Sequence, residues 1–228
     1  MKHKILFPML VSGLIFNACS KDSSENNTAG DAVLASYTPG SSLIIDQLAV
    51  YTSSGIITDP VFIQEYIDRK VSDGDKSHFY VNQVSVDNPG INLPFNLLNN
   101  SRVEFKGVNM EITAKHDTLM LVSEYTSTTT PTYNYSCGEL FSKVPAYTPS
   151  TNCKDSSCAS YRKTYPIIAN GNYYYYPILT YVASTNDCSM TIAEYPTVNM
   201  VNGNLSSLLG AGDSVLVQTA RLPLVKKI

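Results

Sequence analysis

The chain has no tryptophan and only three histidines, and charged residues fill just 15% of its 228 positions. Low charge with 43% hydrophobic residues excludes a disordered acidic or basic tail, which could not bury enough apolar surface to fold. The net charge of −3 carries no electrostatic footprint for a polyanion, so no nucleic-acid partner is expected. Outside the N-terminal segment the only imidazoles are His78 and His116, and no C-x-x-C spacing occurs, so no metal and no cofactor is expected. There is no G-x-S-x-G elbow, H-E-x-x-H pair or Gly-rich phosphate loop. No apolar run reaches the roughly 20 residues a helix needs to cross a bilayer. These absences together give the expectation of a protein that is not an enzyme.

Some residues with catalytic chemistry remain. Glu104 with Glu111, or Glu124 with Glu139, could meet across a sheet as a glycosidase pair, so a hydrolase with an unmarked carboxylate pair is an alternative. Their alternation with apolar neighbours reads instead as outward, solvated positions. His116 and Asp117 are adjacent, and adjacent strand residues point to opposite faces, which keeps them from acting as one oriented base. Asp73-Gly74-Asp75 lacks the further ligands of a calcium loop and reads as a turn.

The N-terminus carries an address. Lys2, His3 and Lys4 precede the apolar run Ile5–Phe16, which fits a secretory signal and ends in Phe16-Asn17-Ala18-Cys19-Ser20. Small Ala18 before Cys19 resembles the cleavage site of bacterial lipoproteins, and Cys19-Ser20-Lys21-Asp22 is similar to the starts of Bacteroidota lipoproteins. Phe16 departs from the usual Leu of that pattern. The resemblance covers about 22 residues and implies cleavage after Ala18, lipid on Cys19 and anchoring in the outer membrane, on its periplasmic face or at the cell surface. Residues 1–18 are then signal, 19–36 a polar tether, and 37–228 the folded part.

Four further cysteines, Cys137, Cys153, Cys158 and Cys188, suit an oxidising compartment as two disulfides. Three pairings are open; Cys153–Cys158 around a short loop, with Cys137–Cys188, is the preferred one.

Downstream the pattern is mainly β. Ser42–Thr52 reads as a strand and Ser53-Ser54-Gly55 as a turn. Asp59-Pro60 opens a helix with Phe62, Ile63, Tyr66 and Ile67 on one stripe. Strands are expected over 77–86, 102–106, 109–114, 117–125, 161–168, 173–183, 189–195 and 214–222. Tyr-Pro occurs at Tyr165-Pro166, Tyr176-Pro177 and Tyr195-Pro196, which places those strands at edges or bulges because proline lacks a ladder donor. The expected fold is an antiparallel β-sandwich or a partly open barrel with one short flanking helix; two β subdomains meeting at a boundary near 127–132 are the alternative. Arg102–Tyr125 resembles the strand pairs of lipocalin-like domains found in such lipoproteins.

Twelve of the 16 tyrosines lie between Tyr125 and Tyr195. On a strand, Tyr173, Tyr174, Tyr175 and Tyr176 put two rings on each face. One pair serves the core, and the other can stack on a sugar or a protein partner, with Tyr133, Tyr135 and Tyr147 extending that surface. The expectation is a membrane-anchored, non-catalytic binding module for a glycan or an envelope protein. The alternative is a structural subunit of the envelope or of fimbriae. Bacteroidota fimbrial subunits are trimmed after an arginine, and the first arginine here, Arg69, lies inside the expected helix.

Overall fold

Period-2 alternation in the middle of the chain becomes a meander of hairpins. In the computed structural model the described residues are 32–115, 117–125, 138–147, 154, 160–186, 191–192 and 196–227, all within the compact unit Asp31–Ile228. Along this unit run β1 (Ala35–Pro39), β2 (Ser42–Thr52), β3 (Gly55–Ile57), α1 (Pro60–Lys70), β4 (Ser85–Asp87), β5 (Phe95–Asn99), β6 (Arg102–Phe105), β7 (Val108–Lys115) and β8 (Thr118–Ser123). There follow α2 (Gly138–Lys143), β9 (Thr164–Asn170), β10 (Tyr173–Ser184), β11 (Thr191–Ile192), β12 (Thr197–Val198), α3 (Leu205–Leu208) and β13 (Ser214–Lys226).

Strands β5 to β10 pair in sequence, β5 pairs β1, β1 pairs β13, and β13 returns to β10 over the register Tyr174↔Leu224 to Ser184↔Ser214. Eight antiparallel strands thus close a barrel, rather than leaving it partly open. The strands on either side of the 127–132 segment, β8 and β9, pair with each other in its wall.

The barrel interior is filled. Tyr176, Val103, Phe105, Leu121, Ile167 and Leu222 lie at mid-depth with essentially no exposure, in the manner of a small barrel packed by its own side chains. Two tight hairpins shape its ends. Lys106 and Gly107 both have positive φ, the requirement of a two-residue turn that follows the strand twist, and Gly171 supplies a positive φ at the first central position of the β9–β10 turn.

Beyond the barrel, β10 and β13 run on together. β2 pairs β13 there, and β3, β4, β11 and β12 extend the sheet. Both faces of this extension are covered. Ile63, Tyr66, Ile67 and Val71 of α1 and its C-cap pack on Val50, Val182 and Leu216. On the other face Leu140, Phe141, Val144, Leu205 and Leu209 pack on Ala49, Leu179, Tyr181, Val215 and Val217. Burial on both faces explains why β10 alternates only at its start and is continuously buried from Tyr176 to Ser184.

Three prolines sit where the strands change neighbours. A strand residue points its N–H and C=O to the same side. Pro177 C=O accepts from Asn199 N–H at 3.0 Å, so its missing donor faces the gap between β9, whose pairing ends at Tyr175, and β12, which begins at Ile178. Pro223 C=O accepts from Gly40 N–H at 2.7 Å, in the gap where β13 passes from β2 to β1. The bonds Ala169 N–H to Asp117 C=O and Ser123 N–H to Lys163 C=O show that odd residues of β9 face β8. Pro166 therefore faces away, before β9 meets β10. The expectation of edge strands is thus corrected for β9 and β10, which are both internal, while Tyr195 lies outside the described residues: proline needs only one free side at one residue.

Other expectations also change. The segment 77–86 is not a strand. It holds a 3-10 turn, Lys76–His78, then irregular chain and the short β4. Buried Gln218 accepts from Tyr80 N–H at 2.8 Å and donates to His78 C=O at 3.0 Å, doing for this loop what a ladder would otherwise do. The folded part begins at Ala35, two residues before Tyr37. Two short helices, α2 and α3, join the one expected. Helix α1 begins as its sequence dictates, with Asp59 accepting from Phe62 N–H at 2.8 Å and Pro60 at its first position.

Candidate functional site: the outer tyrosine wall

The run Tyr173–Tyr176 opens β10 and splits by parity. Tyr174 and Tyr176 point into the barrel. There an aromatic ladder runs from Tyr37, stacked on Phe95 at 4.8 Å, through Tyr174, Tyr176 and Phe105 to Tyr165. Lys106 Nζ caps it 4.7 Å from the Tyr165 ring. The Tyr176 hydroxyl donates to Leu93 C=O at 2.6 Å, and burial holds its proton well above the usual tyrosine range. Burial also raises Tyr37, with the Tyr174 hydroxyl adding to the effect. These rings form core, and a phenol in such surroundings stays neutral.

Tyr173 and Tyr175 point outward. Tyr173 is 68% exposed and Tyr175 half-buried. The Arg221 guanidinium lies 5.6 Å from the centre of the Tyr175 ring. Its Nε donates to both carboxylate oxygens of Asp46, at 2.8 and 3.0 Å. Asp46 reaches it because β2 bulges opposite Thr219/Ala220, inserting one residue and turning the carboxylate onto this face. The terminal amino groups of Arg221 take no other partner among the described residues. The result is a row across three strands: an exposed ring, a second ring, a guanidinium with open donors, and a carboxylate with spare lone pairs. Such a row can stack an apolar face and hydrogen-bond hydroxyls or amides at its edge.

Strand parity splits the four rings into two pairs and leaves open which faces outward; here it is Tyr173 and Tyr175. Sequence reasoning missed Arg221 and Asp46, which are 175 residues apart and meet only through the bulge. A second ring–cation cluster was also missed: Arg162 lies 4.5 Å and Lys154 5.9 Å from the ring of exposed Tyr125. Tyr133 and Tyr135 lie outside the described residues, as do Cys19, Cys137, Cys153, Cys158, Cys188 and His116. Tyr147 is placed by Asn199, which donates to its C=O at 2.6 Å.

The carboxylates take separate roles. Asn96 donates to Glu104 at 3.0 Å, Arg102 stands opposite Glu111 in the β6–β7 register, and Glu139 pairs with Lys143 at 3.1 Å. A shallow cleft of about 310 Å³ lies between β2 and residues 80–84, lined by Asp46, Leu48, Pro60, Ile63, Tyr80 and Val84 among others. Its lining holds no histidine, cysteine or serine to act as a nucleophile or imidazole base. Among the described residues no group of three or more His, Cys, Asp or Glu could hold a metal ion, and no helix is long and apolar enough to cross a membrane.

No protein-family model, no curated protein and no solved structure matches the chain.

Proposed function

We propose that the protein is an outer-membrane lipoprotein, anchored through lipid on Cys19, whose barrel is a non-catalytic glycan-binding module. The observation that carries the reading is the outer wall of Tyr173, Tyr175, Arg221 and Asp46. A ring as exposed as Tyr173 gives up favourable burial unless something covers it, and pyranose rings offer flat C–H faces of matching size. The Arg221–Asp46 pair beside it supplies donors and acceptors already held in place, which lowers the ordering cost of binding hydroxyls. The packed mid-barrel supports the same choice, because it moves any ligand from the interior to the wall.

The test is a glycan array and polysaccharide-retention assay on the purified, folded protein. Saturable retention by one glycan class, lost in a Tyr173→Ala/Tyr175→Ala variant with an unchanged thermal midpoint, supports the reading. A folded wild-type protein retained by no glycan overturns it, and retention that survives the double substitution removes the wall as the site. A protein captured through the wall in place of any glycan would replace the glycan as ligand.

A further inference from the structure

Ten large hydrophobic side chains among the described residues are exposed, and three aliphatic ones gather at one end of the barrel. The pairing register shows this. β1 starts there, with Leu34 N–H bonded to Leu97 C=O just before it. β13 ends there, with Lys226 opposite Tyr37 and Lys227 N–H bonded to Ser36 C=O. β10 starts there, with Tyr174 opposite Leu224. The rim so formed carries Val33 (51% exposed), Leu34 (61%) and Val225 (55%). Exposed Lys226 and Lys227 stand beside them, in a chain whose net charge is −3. Asp117, in the β7–β8 connection at the same end, is outnumbered by the two.

We propose that this end of the barrel is a membrane seat, taking an anionic phospholipid surface as its partner. Three properties of the rim fit that partner and fit a protein groove less well. Exposed aliphatic tips match the boundary between headgroups and acyl chains. Lys226 at the end of β13 and Lys227 just beyond it can lay their stems along that apolar edge and hold their charge at phosphate level. The chain leaves the barrel toward Cys19 from this same end, and 16 residues span at most about 55 Å even when fully extended. Contact too weak to hold a free protein becomes sufficient when a linker keeps the two surfaces together. The seat rests on the lipid-anchor reading for its orientation, but not for its contact chemistry.

The two can be separated. A chain from Ser20 to Ile228 contains every described residue and lacks Cys19, so any vesicle binding is independent of a lipid on that cysteine. In sedimentation with phosphatidylcholine vesicles, binding should be slight. With phosphatidylglycerol added it should rise, and it should fall again with salt as exposed charges are screened. Lys226→Gln/Lys227→Gln should weaken partitioning about thirtyfold, from roughly fivefold for each lysine near an anionic surface. Leu34→Ser should weaken it further, with the thermal midpoint of every variant matching wild type. Equal sedimentation of the lysine variant and the wild type overturns the seat, as does failure to bind anionic vesicles. The mass of the protein purified from its host membrane tests the anchor separately. A diacylglyceryl adduct on Cys19 without vesicle binding removes the seat alone, and vesicle binding without an adduct removes the anchor alone.

Discussion

Replacing Tyr176 by Phe probes the centre of the barrel, and its effect should shrink as pH rises. The ring is fully buried and its hydroxyl donates to Leu93 C=O at 2.6 Å. Removing the hydroxyl keeps the ring packing and leaves that carbonyl without its donor, which should cost about 1–3 kcal/mol at neutral pH. The same burial holds the hydroxyl proton far above the usual range, so the native state keeps it in alkali, whereas the unfolded chain loses it near pH 10. A raised native pKa gives stability that is complete below the unfolded value and declines as pH rises above it. The decline is about 1.4 kcal/mol per pH unit, hence about 2 kcal/mol by pH 11.5. Tyr66 and Tyr51 are raised by burial as well, so both proteins weaken in alkali, and the difference between them isolates Tyr176. Urea unfolding of both proteins at steps from pH 7 to pH 11.5, with equal m-values, should show a gap that narrows to near zero. A gap that is constant across the range, or absent at pH 7, would refute the placement of this hydroxyl.

Two other substitutions test the devices that hold the flanks. Asp59→Ala removes the cap on Phe62 N–H and should cost about 1 kcal/mol in urea unfolding, with α1 amides exchanging first. Gln218→Ala removes its bonds to Tyr80 N–H and His78 C=O, so it should cost about 2–4 kcal/mol and speed hydrogen exchange across 78–84 while the barrel amides stay protected.

The residues explain which parts of this fold can be read from sequence. Ser42–Thr52 and the capped helix at Asp59-Pro60 declare themselves because one local rule governs each. Val103/Phe105 and Met110/Ile112 alternate cleanly because their strands face the barrel interior on one side and water on the other. Phe95–Asn99 does not alternate: its pairing slips between Leu97 and Asn99, which puts two apolar residues side by side. Ala35 and Ser36 read as the end of the tether, and pairing with β5 and β13 makes Ala35–Pro39 a strand. The segment 77–86 has strand-like composition, yet only its end pairs, with β2, and buried Gln218 of a distant strand holds His78 and Tyr80. Closure of the barrel rests on β10 pairing β13 across some forty residues, a distance over which local pattern carries no information. The wall follows the same division. Its rings, Tyr173 and Tyr175, lie on one strand and are visible as one of two pairs, whereas Asp46 and Arg221 are brought to them by a bulge and a long-range register.

The most direct test of the glycan-binding wall is NMR of the protein labelled at tyrosine rings, titrated with the oligosaccharide that it retains. Assignments come from single Tyr→Phe variants. Binding at the wall predicts that the ring signals of Tyr173 and Tyr175 shift and saturate together, while those of Tyr174 and Tyr176 stay in place. Shifts centred on Tyr174 and Tyr176 would put the ligand inside the barrel and contradict the account, as would saturation that moves none of the four.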